Sequence, residues 1–152
     1  MKDKITPFLW FNSEAEQAAA FYISVFNDSR ILSVMGGQNG SPVMGVTFEI
    51  EGRTLIAFNG GPHFKLNEAF SLYVNAETQE EIDELWEKLS EGGEKSRCGW
   101  LKDKYGLWWQ IIPPILSQLM QDKDAIRAQK VVQAMLQMDK IDIQKLKDAY
   151  NA

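Results

Sequence analysis

A single cysteine and a single histidine stand in this chain of 152 residues. One cysteine permits no internal disulfide, and one imidazole leaves little from which to build a histidine-based metal centre. Basic charge is also short: 16 Lys and Arg against 21 Asp and Glu give a net charge of -5. With the basic residues scattered, neither nucleic acid nor an anionic membrane surface finds an electrostatic footprint. Nothing approaches the roughly 20 consecutive apolar residues of a membrane span, and the amino terminus runs into a strand pattern with no apolar signal segment. The expectation is a cytoplasmic protein. What the chain does have is 45% hydrophobic residues, enough to bury a core as one domain over 1–152 without covalent or metal staples.

The pattern along the chain repeats after about 65 residues. Ile5 to Phe11 reads as a strand, and Ser13-Glu14-Ala15-Glu16 fits a capping box with Ser13 at the N-cap and Glu16 at N3. Ala15, Ala18, Ala19, Tyr22, Val25 and Phe26 then recur at helical spacing. Strands follow over Arg30 to Met35, Val43 to Ile50 and Arg53 to Asn59, with a glycine-rich loop at Gly36 to Gly40 and a tight Glu51-Gly52 turn. The second half has a strand over Ala69 to Asn75 and a second capping box at Thr78-Gln79-Glu80-Glu81. Its helix turns Ile82, Leu85, Trp86 and Leu89 inward and ends at Gly92-Gly93. A short strand from Lys95 to Cys98 precedes a closing hairpin. The prediction is an α+β fold of two tandem βαβββ modules, 5–59 and 69–112, joined by a linker at 60–68. Each module's helix covers one face of its sheet. Pro113-Pro114 ends the last strand. A helical tail over 113–150 carries more apolar surface than a peripheral helix needs, which packs either on its own domain or on a second copy in a homodimer.

The closing hairpin, Cys98 to Gln110, holds Trp100, Trp108 and Trp109 around a lysine-rich turn. Alternation sends Trp108 and Gln110 to one face and Leu107, Trp109 and Ile111 to the other. The same alternation in the second module sets Ser71 and Tyr73 on the face opposite Phe70, Leu72 and Val74. Ser71, Tyr73, Trp100, Trp108 and Gln110, with Asn59 from the end of the first module, are the candidate ligand-binding residues. The aromatic rings would serve as walls and the amides and hydroxyls as orienting partners. Side chains filling that space would be the bland alternative. Lys102, Asp103 and Lys104 read as solvated turn residues. His63, in Asn59-Gly60-Gly61-Pro62-His63-Phe64, is either an acid–base group or an exposed loop residue. Cys98 is either a nucleophile or a buried reduced thiol, and the sequence shows no base to activate it.

Several of these stretches carry a resemblance. Ile5 to Phe11, Ala15-Glu16-x-Ala18-x-x-Phe21-Tyr22, Asn59 to Phe64, Gln79 to Asp83 and Cys98 to Gly106 resemble the PhnB-like branch of the glyoxalase, bleomycin-resistance and extradiol-dioxygenase superfamily, the vicinal oxygen chelate proteins. The resemblance implies sheets curled around a cavity and the description demethylubiquinone methyltransferase. It also implies that metal ligands, where relatives use them, fall at Pro7, Ala69 and Gln110, with Phe8 or Ser71 in play if the register shifts by one. Proline and alanine side chains cannot coordinate, and an amide replaces the relatives' glutamate, so no metal site and no other cofactor is expected. Methyl transfer sits poorly with the pattern, because Gly36 to Gly40 leads into a strand and supplies no helix N-terminus for a nucleotide-like donor. The favoured expectation is a small-molecule-binding protein with an apolar, tryptophan-lined cavity. Two alternatives stand beside it: an isomerase, lyase or transferase in the same cavity, with Gln110, Glu49 or His63 handling protons, and a structural dimer with a vestigial cavity.

Overall fold

The structure, a computed structural model, describes residues 2–152. The chain forms two compact units, Met1–Leu66 and Asn67–Ala152. In the first, β1 (Phe8–Phe11), α1 (Ala15–Val25), β2 (Arg30–Gly36), β3 (Val43–Ile50) and β4 (Arg53–Asn59) follow in order. The second repeats the series with β5 (Ser71–Asn75), α2 (Gln79–Ser90), β6 (Glu94–Lys95), β7 (Trp100–Lys102) and β8 (Trp108–Ile112), then adds α3 (Pro114–Met120), α4 (Ala125–Met135) and α5 (Ile143–Asn151). Each unit has its own four-stranded sheet, ordered β1-β4-β3-β2 and β5-β8-β7-β6. In both, the first and last strands pair in parallel and the other pairs are antiparallel. The duplicated βαβββ pattern is therefore realised strand for strand. Neither sheet closes on itself.

Alternation decides which residues are buried. In the first unit, Leu9, Phe11, Val46, Phe48, Leu55 and Ala57 share one face and are all buried. Ala15, Ala18, Ala19 and Tyr22 of α1 are buried too, and the ring of Tyr22 stacks on Phe48 at 6.0 Å. Three alanines let the helix axis come close to the sheet, where larger side chains would hold it off. The second unit buries Ile82, Leu85, Trp86 and Leu89 of α2 together with Leu101, Leu107, Trp109 and Ile111 of the hairpin.

Local sequence rules hold at one helix start and fail at the other. Thr78 caps α2 by accepting from the Glu81 N–H at 3.2 Å. Ser13 does not cap α1, whose N-cap is Glu14 with no capping bond from its side chain. The Ala15 N–H is instead taken by the Asn59 side-chain oxygen at 2.8 Å, from 44 residues away. Tertiary structure supplies the cap that the local box would otherwise give.

Two strand boundaries also differ from expectation. The strand expected from Ala69 begins at Ser71, leaving Phe70 exposed. The one expected over Lys95 to Cys98 stops at Lys95, because Cys98 turns into the left-handed region at φ 57°. That turn aims two backbone N–H groups at the tail: Cys98 donates to the Met138 carbonyl at 2.8 Å and Gly99 to that of Asp139 at 2.7 Å.

The tail packs in cis. Leu116, Val131, Met138, Ile141 and Leu146 form a buried cluster with Ile112 at the end of β8. Gln79, in the first turn of α2, accepts from the Ile143 N–H at 2.9 Å and donates to the Ile141 carbonyl at 3.0 Å. Lys140 sits 2.8 Å from Asp83, and hydrogen bonds from Lys140 and Gln79 hold the Asp83 carboxyl below its ordinary pKa.

Two outcomes follow. Gln79→Ala removes both amide bonds that dock the tail and lowers the urea unfolding free energy by about 1–3 kcal/mol. Because the Asp83 carboxyl is more acidic folded than unfolded, its contribution is present above the ordinary carboxylate range near pH ~4 and is lost as pH falls through the folded value. The urea midpoint of the Asp83→Asn variant therefore differs from the parent's at neutral pH and converges with it in acid.

Candidate functional site

The centre of the second unit is a carboxylate that water does not reach. Asp103, at the tip of the β7–β8 hairpin, is only 1% exposed. One of its oxygens accepts from the N–H groups of Tyr105 at 2.8 Å and Leu107 at 3.1 Å. The other accepts from the indole N–H of Trp109 at 2.8 Å. Its backbone closes the turn as well, donating to the Leu107 carbonyl at 2.9 Å and accepting from Gly106 at 3.0 Å. Asp103 is thus not the solvated turn residue that its lysine neighbours suggest. Burying a charge is tolerated only when hydrogen bonds replace its hydration, and here three donors do so.

By holding the Trp109 ring inward, Asp103 fixes the alternation of β8. Trp109 and Ile111 are buried against α2, while Trp108 and Gln110 emerge on the face that α2 does not cover. Pairing places neighbours beside them. Gln110 lies between Tyr73 on β5 and Trp100 on β7, and Trp108 lies between Ser71 and Lys102. The Gln110 amide donates to the Ser71 hydroxyl at 3.0 Å. Trp100 and Trp108 meet edge to face at 6.4 Å, a favoured aromatic geometry. Burial lifts the Tyr73 phenol above its ordinary pKa, so it is neutral at physiological pH. Lys102 lies 6.0 Å from the Trp108 ring centroid and 3.4 Å from Glu94, its cross-strand neighbour. The face is consequently aromatic and nearly charge-neutral, with one amide–hydroxyl pair among three rings.

Ser71, Tyr73, Trp100, Trp108 and Gln110 are brought together on this face. Asn59 belongs to the first unit, where its side chain accepts from the Ala15 N–H at 2.8 Å and donates to the Val43 carbonyl at 3.0 Å. His63 is an exposed loop residue. Cys98 is half-buried with its thiol 3.5 Å from the Met135 carbonyl. Glu49, only 8% exposed, is ion-paired with Lys2 at 3.6 Å and Arg30 at 3.5 Å.

The sequence reading missed an aromatic cluster on the uncovered face of the first unit. Trp10 meets Phe58 at 5.3 Å and Phe64 at 5.0 Å, and Phe8 meets Phe58 at 5.2 Å. Its signal was the alternation of Phe8 and Trp10 against Leu9 and Phe11. In the two parallel ladders, Trp10 pairs with Phe58 and Tyr73 pairs with Gln110.

A metal does not fit the positions where the superfamily's ligands fall. Pro7 offers only its backbone carbonyl, which accepts from the Ile56 N–H at 3.0 Å. Ala69 has no donor atom in its side chain, and Gln110 is a neutral amide engaged with Ser71. Among the described residues, no group of three or more His, Cys, Asp or Glu is arranged to hold a metal ion.

Tandem βαβββ modules, each with its first and last strands paired in parallel, define a protein of the glyoxalase or vicinal oxygen chelate fold. The chain belongs to the PhnB-like family, whose model, described as 3-demethylubiquinone-9 3-methyltransferase, matches residues 3–112. A PhnB protein from Bacillus cereus, described as a putative 3-demethylubiquinone-9 3-methyltransferase, is similar at 36% identity and TM-score 0.67, covering 73% of this chain and 99% of its own. A Pseudomonas aeruginosa protein shares 19% identity over 72% of this chain and 96% of its own, with TM-score 0.61. The fosfomycin resistance protein FosX of Listeria monocytogenes, solved with Mn(II) and a dihydroxypropylphosphonic acid, shares 18% identity over 78% of this chain and 97% of its own, with TM-score 0.59. These two show the fold alone. No curated protein matches the sequence. No helix among the described residues is long and apolar enough to cross a membrane.

If Asp103 holds the hairpin, Asp103→Ala leaves two buried donors and one half-buried donor unanswered and destabilises the protein by on the order of 3 kcal/mol in urea unfolding. Asp103→Asn, which keeps one acceptor oxygen, costs less.

Proposed function

We propose that the uncovered face of the second sheet binds a small, uncharged, planar aromatic molecule without a metal ion. The observation that carries this reading is Gln110. It is a half-buried amide held by Ser71 and surrounded by Tyr73, Trp100 and Trp108. Rings supply area and shape, while the amide retains a carbonyl and an N–H to orient a hydroxyl or carbonyl on the ligand. Neutrality follows from the surroundings. Lys102, the cation beside Trp108, is paired with Glu94, and Tyr73 is protonated. A carboxylate or phosphate would lose its hydration on this face and gain little in return.

The family description favours a second reading, in which the same face positions a hydroxylated quinone for methylation. The substrate oxygen would then attack the methyl carbon of a sulfonium donor, releasing a neutral thioether and a proton. Mass spectrometry of a hydroxynaphthoquinone incubated with S-adenosylmethionine and the protein detects the added methyl group under that reading and none under the binding reading.

Titration with a panel of naphthols and unsubstituted naphthoquinones, all uncharged at neutral pH, gives saturable quenching of tryptophan fluorescence. Trp108→Phe loses most of the signal, and Gln110→Ala weakens affinity about tenfold, the equivalent of one hydrogen bond. Linear, unsaturable quenching across the panel contradicts the reading.

A further inference from the structure

The tail begins where the family match ends, at residue 112, so the shared βαβββ pattern gives no account of it. One of its contacts falls beside the candidate site. The end of α4 leaves carbonyl groups that no further turn of helix satisfies, and α4 has no basic residue in its last turn to offset the negative end of the helix. Arg97-Cys98-Gly99, in the loop between β6 and β7, meets both needs. The Arg97 guanidinium donates to the Leu136 carbonyl at 2.8 Å, and the Cys98 and Gly99 N–H groups donate to the Met138 and Asp139 carbonyls just beyond. The contact shapes the loop in return. Cys98 and Gly99 are consecutive left-handed residues, at φ 57° and 84°, and a non-glycine residue keeps that conformation only where its surroundings hold it. Space also requires glycine at 99: a Cβ there would lie 2.7 Å from Cδ1 of Ile112 and 3.1 Å from Cγ1 of Ile141 in the tail.

We infer, given the binding role proposed for the aromatic face, that the tail is its positioning element, holding Trp100 beside Gln110 through this loop. Trp100 is tied to the loop at both backbone groups. Its N–H donates to the Arg97 carbonyl at 3.0 Å, and its carbonyl accepts from the Ser96 N–H at 2.9 Å. Gly99 donates its N–H to the tail, while its carbonyl accepts from the Ile111 N–H at 2.8 Å, next to Gln110. One residue thus joins the tail to both strands that carry Trp100 and Gln110. Strand β6 is two residues long, and a ladder that short holds a hairpin loop weakly. What the loop docks on therefore decides its shape. With the tail displaced, Cys98 relaxes into extended backbone, as the strand pattern from Lys95 to Cys98 favours, and Trp100 leaves its place beside Trp108. Ligand binding and tail docking then favour the same state, and each strengthens the other.

Gln79 tests the coupling without touching the loop, because its side chain bonds Asp83 and the tail residues Ile141 and Ile143. In nitrogen–proton correlation spectra of the ligand-free full chain, Gln79→Ala is expected to move the Trp100 indole signal and leave that of Trp109 in place. Arg97→Ala, which loosens the contact from the loop side, moves the Trp100 signal too. The affinity of Gln79→Ala for 2-naphthol falls about fivefold or more. Native-state hydrogen exchange of the unmodified chain needs no variant: the Cys98 and Gly99 amides open in one step with the Leu146 amide of α5. A Trp100 signal unmoved in Gln79→Ala, an affinity equal to the parent's, or loop amides that open separately from the tail would each overturn the inference. A parent that does not bind 2-naphthol contradicts the binding role of the face instead, and the ligand-free spectra and the exchange then decide the positioning role alone.

Discussion

The bond between the Asp103 carboxylate and the Trp109 indole is the constraint on which the rest of the second unit depends. A strand has a side-chain period of two, so a slip of one residue exchanges its buried and exposed faces. With Trp109 tied inward at 2.8 Å, Leu107 and Ile111 follow it into the core and Trp108 and Gln110 face away. Tyr73, Ser71 and Trp100 take their places through pairing with β8. Without that tie, the aromatic residues at 108 and 109 would compete for the core with little to separate them. Core and candidate site are therefore two consequences of one buried carboxylate.

The two modules share a topology and diverge in chemistry. Both pair their first and last strands in parallel, and both lay a helix on one face. The uncovered face of the first carries an aromatic cluster, with Phe8, Trp10 and Phe58 in contact. That of the second places an amide and a hydroxyl among its rings. FosX, solved with Mn(II), shows that this architecture accommodates a metal and a small ligand. In the present chain the positions that the family resemblance assigns to metal ligands hold proline, alanine and an amide. Fold alone does not carry function across such a change, and side-chain chemistry has to be argued residue by residue.

Much of this architecture was legible in the sequence because it is written in local periodicity. Val43 to Ile50 and Arg53 to Asn59 are strands with the expected bounds, and the Thr78 cap forms as its spacing predicts. What was not legible involves partners distant in sequence. Ser13 matches a capping box yet yields to Asn59, whose arrival depends on the folded first unit. Asp103, flanked by two lysines, resembles a solvated turn; its burial depends on a tryptophan six residues later, whose inward face only the paired hairpin defines. The tail's stripe was visible but not the surface that covers it, since Gln79 docks it through backbone groups that no side-chain pattern announces.

Indole N–H resonances offer the most direct examination of the claim that Trp108 and Trp100 frame a binding face while Trp109 does not. In a nitrogen–proton correlation spectrum of the labelled protein, assigned by single Trp→Phe variants, addition of 2-naphthol, which is uncharged at neutral pH, is predicted to shift the Trp100 and Trp108 indole signals in a saturable manner. The Trp109 signal, locked on Asp103, stays in place. Shifts confined to Trp109, or the absence of any saturable shift at Trp100 and Trp108, would contradict the account.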